Sequence, residues 1–206
     1  MEVELQKAAH WLAKHDPILA PIIASSPPPQ LVPHTNYYQA LVSSIISQQL
    51  SVKAAATILQ RFIELFDGAF PSPSQILSAN IDTLRLAGLS RSKATYIQDL
   101  ARHIIDGSLE LDAITQLSNE EIVKELTAVK GIGVWTAHMF LMFCMGRLDI
   151  LPVGDLGIRS GMRQLYGLEN LPTPDDMTAI AARYHWSPYE SAACWYIWHS
   201  LDNTPK

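Results

Sequence analysis

A chain of 206 residues is long enough to bury a substantial core, as one domain or as two closely packed lobes. Its 48% hydrophobic and 17% charged content excludes disorder, and a formal net charge of −5 argues against a non-specific nucleic-acid binder while leaving room for a local basic face. Its two cysteines, Cys144 and Cys194, are too few for a four-thiolate iron–sulfur cluster and lack zinc spacing; buried free thiols are expected, and no metal site.

In chain order, Leu5, Ala8, Ala9, Leu12 and Ala13 recur at helical spacing, and the acids of MEVELQKAAHWLAKHD do not fit a secretory signal. Asp16-Pro17 reads as the cap and first position of a short helix. The proline-rich stretch Ser25–Pro33 is a connector. Thr35 or Asn36 caps a helix running to about Leu50, and Ser51 caps another that stops at Asp67-Gly68. Short helices are expected at Ser74–Ala79 and Ile81–Ala87. Ser90 opens a long one to Gly107, and Ser118 opens another with acids in its first turn. Thr173-Pro174 and Ser187-Pro188 start the last two. No period-two strand, repeat or low-complexity tract is present, and no apolar run is long enough to span a bilayer. The expected fold is all-α, with roughly ten or more short helices.

Leu126–Tyr166 concentrates the chemistry. In LTAVKGIGVWTA, Gly131 and Gly133 permit positive φ and close approach to backbone, Lys130 adds a charge, and the amides after Gly133 open a helix whose dipole favours an anion. The alternative is a helix–helix turn that merely needs glycines. The flanking apolar helix and the small-residue start at Thr136-Ala137 favour a helix–hairpin–helix, a unit that grips phosphate without reading sequence. Asp155 follows the uncharged loop Leu151-Pro152-Val153-Gly154, at the start of a helix. It is either an N-cap only or a carboxylate able to stabilise a developing cation and position water.

Three further sets stay open in the same way. Trp135, Trp195, Tyr196, Trp198, His199, Tyr37 and Tyr38 are either core or a wall for a flat cationic ring. Ser47-Gln48-Gln49-Leu50-Ser51 is either a solvated corner or a wedge that fills the hole left by a flipped base. Arg85, Arg91, Lys93 and Arg102, opposed locally by Asp99, are either a solvated face or phosphate contacts.

On these residues the chain resembles the helix–hairpin–helix DNA glycosylase superfamily, and within it the 3-methyladenine DNA glycosylase II (AlkA/MAG-like) branch. The likeness runs through ALVSSIISQQLSVKAA, GLSRSKATYIQDLA, LTAVKGIGVWTAHMFLMFCMGRLDILPVGDLGIR and WSPYESAACWYIW. It implies a single glycosylase domain of two helical lobes, about 36–145 and 1–35 plus 146–206, without the N-terminal β-domain of the larger bacterial enzymes. It also implies excision of alkylated purines of the 3-methyladenine and 7-methylguanine type from double-stranded DNA, to leave an abasic site. Asp155 matches the catalytic aspartate and Trp198 the pocket tryptophan; Trp135, Tyr37 and His199 complete the expected base pocket. Lys130, Gly131, Gly133, Val134 and Thr136 are the expected backbone grip, and Gln49, Leu50 and Ser51 the expected wedge.

Lyase members carry a lysine two residues after the second hairpin glycine. This chain has Trp135 there, so no Schiff base and no lyase activity are expected. No cofactor is expected beyond a monovalent cation on the hairpin carbonyls near Thr127, Val129 and Ile132. The expected working unit is a monomer, cytoplasmic and nucleoid-associated in a bacterium or nuclear in a eukaryote, with no membrane partner. The chain departs from the branch at His138, where an acid is common, and at Glu190, where an arginine is common. The rival functions are a glycosylase for other lesions (ethenoadenine, hypoxanthine, oxidised bases), a helix–hairpin–helix DNA-binding module without catalysis, and a purely structural helical protein.

Overall fold

The computed structural model describes residues 1–29, 31 and 33–202. Most boundaries follow from local caps. Asn36, Ser51, Ser72, Asn80, Ser90, Ser118, Asp155 and Thr173 each accept a first-turn backbone N–H with the side chain. Ser72, Ser118 and Thr173 complete reciprocal capping boxes with Gln75, Glu121 and Asp176. The helices are α1 (Glu2–His15), α2 (Ala20–Ser25), α3 (Tyr37–Ser47), α4 (Val52–Glu64), α5 (Pro73–Ser78), α6 (Ile81–Arg85), α7 (Arg91–Ile105), α8 (Asn119–Ala128), α9 (Val134–Met139), α10 (Leu156–Leu165), α11 (Pro174–Arg183) and α12 (Glu190–Asp202). A 3₁₀ turn lies at Ile114–Gln116, and a π-helical turn at Phe140–Cys144 continues α9. Among the described residues there is no strand. No helix among them is long and apolar enough to cross a membrane.

The chain forms two compact units, His34–Phe140 and Met1–Pro33 with Leu141–Lys206. In the first, α7 packs against α3, α5 and α6, α3 against α4, and α8 against α9. Leu41, Ile45, Phe62, Ile97, Leu100, Ile122 and Leu126 are fully buried there. In the second, α10 packs on α12, and α1 on α2 and α12, around Leu12, Met162, Trp186, Cys194 and Ile197.

Three boundary expectations change. Asp16 does not cap α2 directly: its carboxylate accepts the N–H of Ile18 and Leu19 at 2.9 and 3.0 Å in a turn that leads into the helix at Ala20. Those bonds use Oδ1; the other oxygen, Oδ2, accepts the Tyr166 hydroxyl at 2.5 Å and the Trp186 indole N–H at 2.8 Å, so Asp16 is a fully buried polar hub, not a surface cap. The helix expected to reach Leu50 ends at Ser47, because Gln48 leaves helical backbone and Gln49 turns left-handed at φ 58°. The last helix begins at Glu190: Ser187-Pro188 is a cis peptide in the turn before it, and Pro188 is not its first residue. Of the proline-rich connector, Gln30 and Val32 lie outside the described residues.

Candidate active site

The hairpin forms because α8 runs out of helical backbone at Val129 and Gly131 turns left-handed at φ 85°. Gly131 is required for a second reason: a Cβ there would sit 2.2 Å from Cδ2 of Tyr96, whose ring packs on the turn. Its carbonyl accepts the Gln48 side-chain amide at 2.7 Å. Gly133 corrects the expectation. It is extended, φ −95°, with nothing near where a Cβ would be, and it serves as N-cap of α9. It carries no side chain that could occupy the first-turn N–H groups of α9. Val134 and Trp135 are about half exposed, while the Thr136 side chain is buried.

Lys130 is held from α7. Its backbone N–H donates to Asp99 Oδ2 at 2.9 Å, and its ammonium lies 3.6 Å from Asp99 Oδ1. Asp99, buried on α7, also receives the Arg102 guanidinium at 3.3 Å and lies 3.7 Å from the His103 ring. Arg85 and Arg91 both pair with Asp82 at 3.1 Å, so two acids oppose the basic window rather than the one read from sequence. Lys93 points inward, its ammonium donating to the carbonyls of Ile46 and Gln48 at 2.8 and 2.6 Å. Burial lowers its pKa below the ordinary lysine value. The corner it holds leaves Gln49, Leu50 and Ser51 exposed at its tip. Tyr37 meets Phe140 edge-on at 5.5 Å, and burial lowers the pKa of His138, leaving that ring neutral at physiological pH.

In the other unit, Asp155 is 7% exposed. A turn in which its N–H donates to Pro152 O at 2.8 Å delivers it to the start of α10. Its Oδ1 accepts the Ile158 N–H at 2.7 Å and the Trp198 indole N–H at 3.0 Å. The carboxylate is thus both the helix cap and the partner of an aromatic ring from α12, so it is more than a cap. It stands at a helix N-terminus, and two N–H donors fix its orientation. Phe143, from the π-helical turn, lies 5.8 Å from the Trp198 ring. Gly157 makes room for the pair, since a Cβ on it would lie 3.0 Å from Trp198 Nε1 and 3.1 Å from Asp155 Oδ1.

Asp155 and Trp198 are therefore brought together, whereas His199 lies on another strip of α12, stacked on Trp195 at 4.9 Å. Burial pushes the fully buried Cys194 thiol well up, with Asp155 and Glu190 adding to it, and pushes Cys144 up to about 11. Both cysteines are buried thiols outside any disulfide, as their apolar runs imply. Gly157 and Phe143 carried no role in the sequence, and Asp99 stood there only as a counter-charge to the basic window. The usable signal for Asp99 was a lone acid on the apolar face of YIQDLA.

The chain matches the family described as HhH-GPD superfamily base excision DNA repair protein over residues 42–185. It is 37% identical over 163 residues to DNA-3-methyladenine glycosylase 1 of Schizosaccharomyces pombe, covering 78% of this chain and 71% of that protein. It is 34% identical over 178 residues to a putative DNA-3-methyladenine glycosylase of Bacillus subtilis, covering 84% of this chain and 61% of that one. Among solved structures, a DNA-3-methyladenine glycosidase of Bacillus halodurans superposes with a TM-score of 0.84 at 37% identity, over 95% of this chain and 89% of that one. A 3-methyladenine DNA glycosylase of S. pombe, solved in complex with abasic DNA, gives 0.80 at 32% identity, over 97% and 100%. The helical architecture, the glycine hairpin and the family match over most of its length agree: the chain belongs to the HhH-GPD superfamily of base excision DNA repair proteins.

Proposed function

We propose that this protein is a monofunctional DNA glycosylase that removes alkylated purines from double-stranded DNA, working as a monomer. The observation that carries the reading is Asp155, a buried carboxylate held by the Ile158 N–H and the Trp198 indole N–H at the start of α10. The names of its relatives supply the substrate class, and the solved relative in complex with abasic DNA supports DNA as the partner and an abasic site as the product.

The chemistry follows from the leaving group. An N3- or N7-alkylated purine is already cationic, so its bond to C1′ is weak and needs little acid help. As that bond breaks, its electron pair goes to the base and positive charge develops on the sugar. The Asp155 carboxylate stabilises that charge. Water then adds to C1′ and releases its proton to bulk solvent, with Asp155 placed to orient it. Two fixed N–H donors hold the carboxylate in one orientation, so little reorganisation is needed as charge develops. Each unit offers aromatic side chains that suit a cationic ring: Trp198 and His199 in one, Trp135 and Tyr37 in the other. Trp135 supplies no amine, so hydrolysis ends at the abasic site.

Lys130, the hairpin glycines and the first-turn amides of α9 at Val134 and Thr136 would grip phosphate, and the Gln49–Leu50–Ser51 tip would fill the vacated stack. The carbonyls of Thr127, Val129 and Ile132 suit a monovalent cation. They lie at the C-terminal end of α8 and just beyond, where last-turn carbonyls lack helical partners, and Val129 O accepts one N–H, from Ile132 at 3.1 Å, leaving a second lone pair. A bound cation there would add positive charge for a phosphate.

The test is release of free base from duplexes carrying 3-methyladenine, 7-methylguanine, ethenoadenine, hypoxanthine or 8-oxoguanine. Release of the two methylated purines without strand cleavage is expected. Release of 8-oxoguanine alone, or cleavage at the abasic site without added base, would contradict the reading.

A further inference from the structure

The basic window of α7 is not spent as a phosphate contact throughout. Three residues spaced by three on α7, namely Lys93, Tyr96 and Asp99, each reach a neighbouring loop. Lys93 donates two hydrogen bonds to the end of α3, at Ile46 O and Gln48 O. The Tyr96 ring lies under Gly131, and Asp99 takes the Lys130 N–H. Gln48 closes the circuit with its amide on Gly131 O at 2.7 Å. The corner between α3 and α4 is thus tied to the glycine hairpin directly and again through α7, all within one compact unit.

The corner has need of it. It carries a non-glycine residue in the left-handed region, Gln49 at φ 58°, and its local backbone support includes Leu50 N–H to Ser47 O at 3.1 Å. The ammonium of Lys93 satisfies carbonyls at a helix C-terminus, where a cation is favoured. Those bonds commit its ammonium to two backbone carbonyls.

We propose that Lys93 is a positioning residue that clamps the corner to the hairpin, so that the hairpin's grip on phosphate sets how deeply the Gln49–Leu50–Ser51 tip enters the base stack. This rests on the glycosylase reading above. The clamp serves base extrusion, not bond cleavage. Its loss therefore falls on lesions that must be unpaired and spares those that are already extruded.

The experiment compares Lys93→Met with the native protein in three measurements, with Gln48→Met, which cuts only the direct link to Gly131, as a second variant should the first not fold. Single-turnover excision of 7-methylguanine should fall about tenfold or more when the lesion is paired with cytosine, and by less than about twofold when it faces an abasic site. The logarithmic salt dependence of binding to abasic duplex should keep its slope, whereas losing a phosphate contact lowers it by about 0.9. Hydrogen exchange of the DNA-free protein should speed up together at the 48–51 corner and the hairpin. A slope reduced by about 0.9, an equal loss on both duplexes, or unchanged exchange would overturn the clamp. If the native protein excises nothing, the catalytic reading fails, while the exchange measurement still decides whether Lys93 holds the corner.

Discussion

Gly157→Ala separates catalysis from stability. The added Cβ would lie 3.0 Å from Trp198 Nε1, 3.2 Å from its Cδ1 and 3.1 Å from Asp155 Oδ1, where ordinary contact begins at 3.4 Å. The indole and the carboxylate must each retreat by a few tenths of an ångström. Moving apart by that much stretches their 3.0 Å hydrogen bond to the edge of useful geometry. A hydrogen bond to a charged group contributes roughly 1.5–3 kcal/mol. If that support is lost in the transition state, excision slows by roughly 10- to 150-fold. Stability moves the other way or little, because alanine is favoured over glycine within a helix by up to about 1 kcal/mol. Single-turnover base release, measured beside thermal unfolding, reads both. Trp198→Phe should cost a similar factor, and Gly157→Ala added to it should cost little more, since no indole N–H remains to displace. Native-rate excision by Gly157→Ala, or full additivity in the double variant, would refute the reasoning.

Further substitutions probe the acids Asp16 and Glu190. Asp16→Ala leaves the Tyr166 hydroxyl and Trp186 indole N–H without their acceptor, and should cost about 3–5 kcal/mol in urea unfolding, with Asp16→Asn costing less. At half-buried Glu190, burial raises the carboxyl above the usual value and Asp149 adds to the rise, outweighing hydrogen bonds from its own backbone and from Ser187, while Oε2 has no hydrogen-bond partner. The folded state therefore holds the proton more tightly than the unfolded chain. Stability is unpenalised below the unfolded value near 4.5 and falls as pH rises through the higher folded value. Glu190→Gln should thus be more stable than the native protein at pH 7, with the difference gone at about pH 4; a less stable variant at pH 7 would show that a partner engages the charge.

What could be read from sequence was set by chain-local chemistry. Ser118 with Glu121, Thr173 with Asp176 and Asp155 with Ile158 lie three residues apart, so cap and donor stand in one line of sequence. Gly131 was legible because a left-handed turn demands glycine. Gly133, two residues on, looked the same but is extended, because it is the N-cap of α9 rather than a second reversal. Residues whose purpose is set from a distance were not legible. Asp16 looks like a cap until Tyr166 and Trp186 arrive from 150 and 170 residues away. Gly157 is an unremarkable helical glycine until α12 lays Trp198 against it. Lys93 belonged to a basic run, and only packing reveals that its ammonium faces two carbonyls across 45 and 47 residues.

The most direct test of the proposed chemistry is Asp155→Asn, which keeps an acceptor for the Ile158 and Trp198 N–H groups and removes the charge. Excision of 7-methylguanine should fall by about a hundredfold or more, in line with the loss of a principal electrostatic stabiliser, while binding to abasic duplex and the unfolding temperature stay near native. Unchanged excision by that variant would contradict the assignment of Asp155.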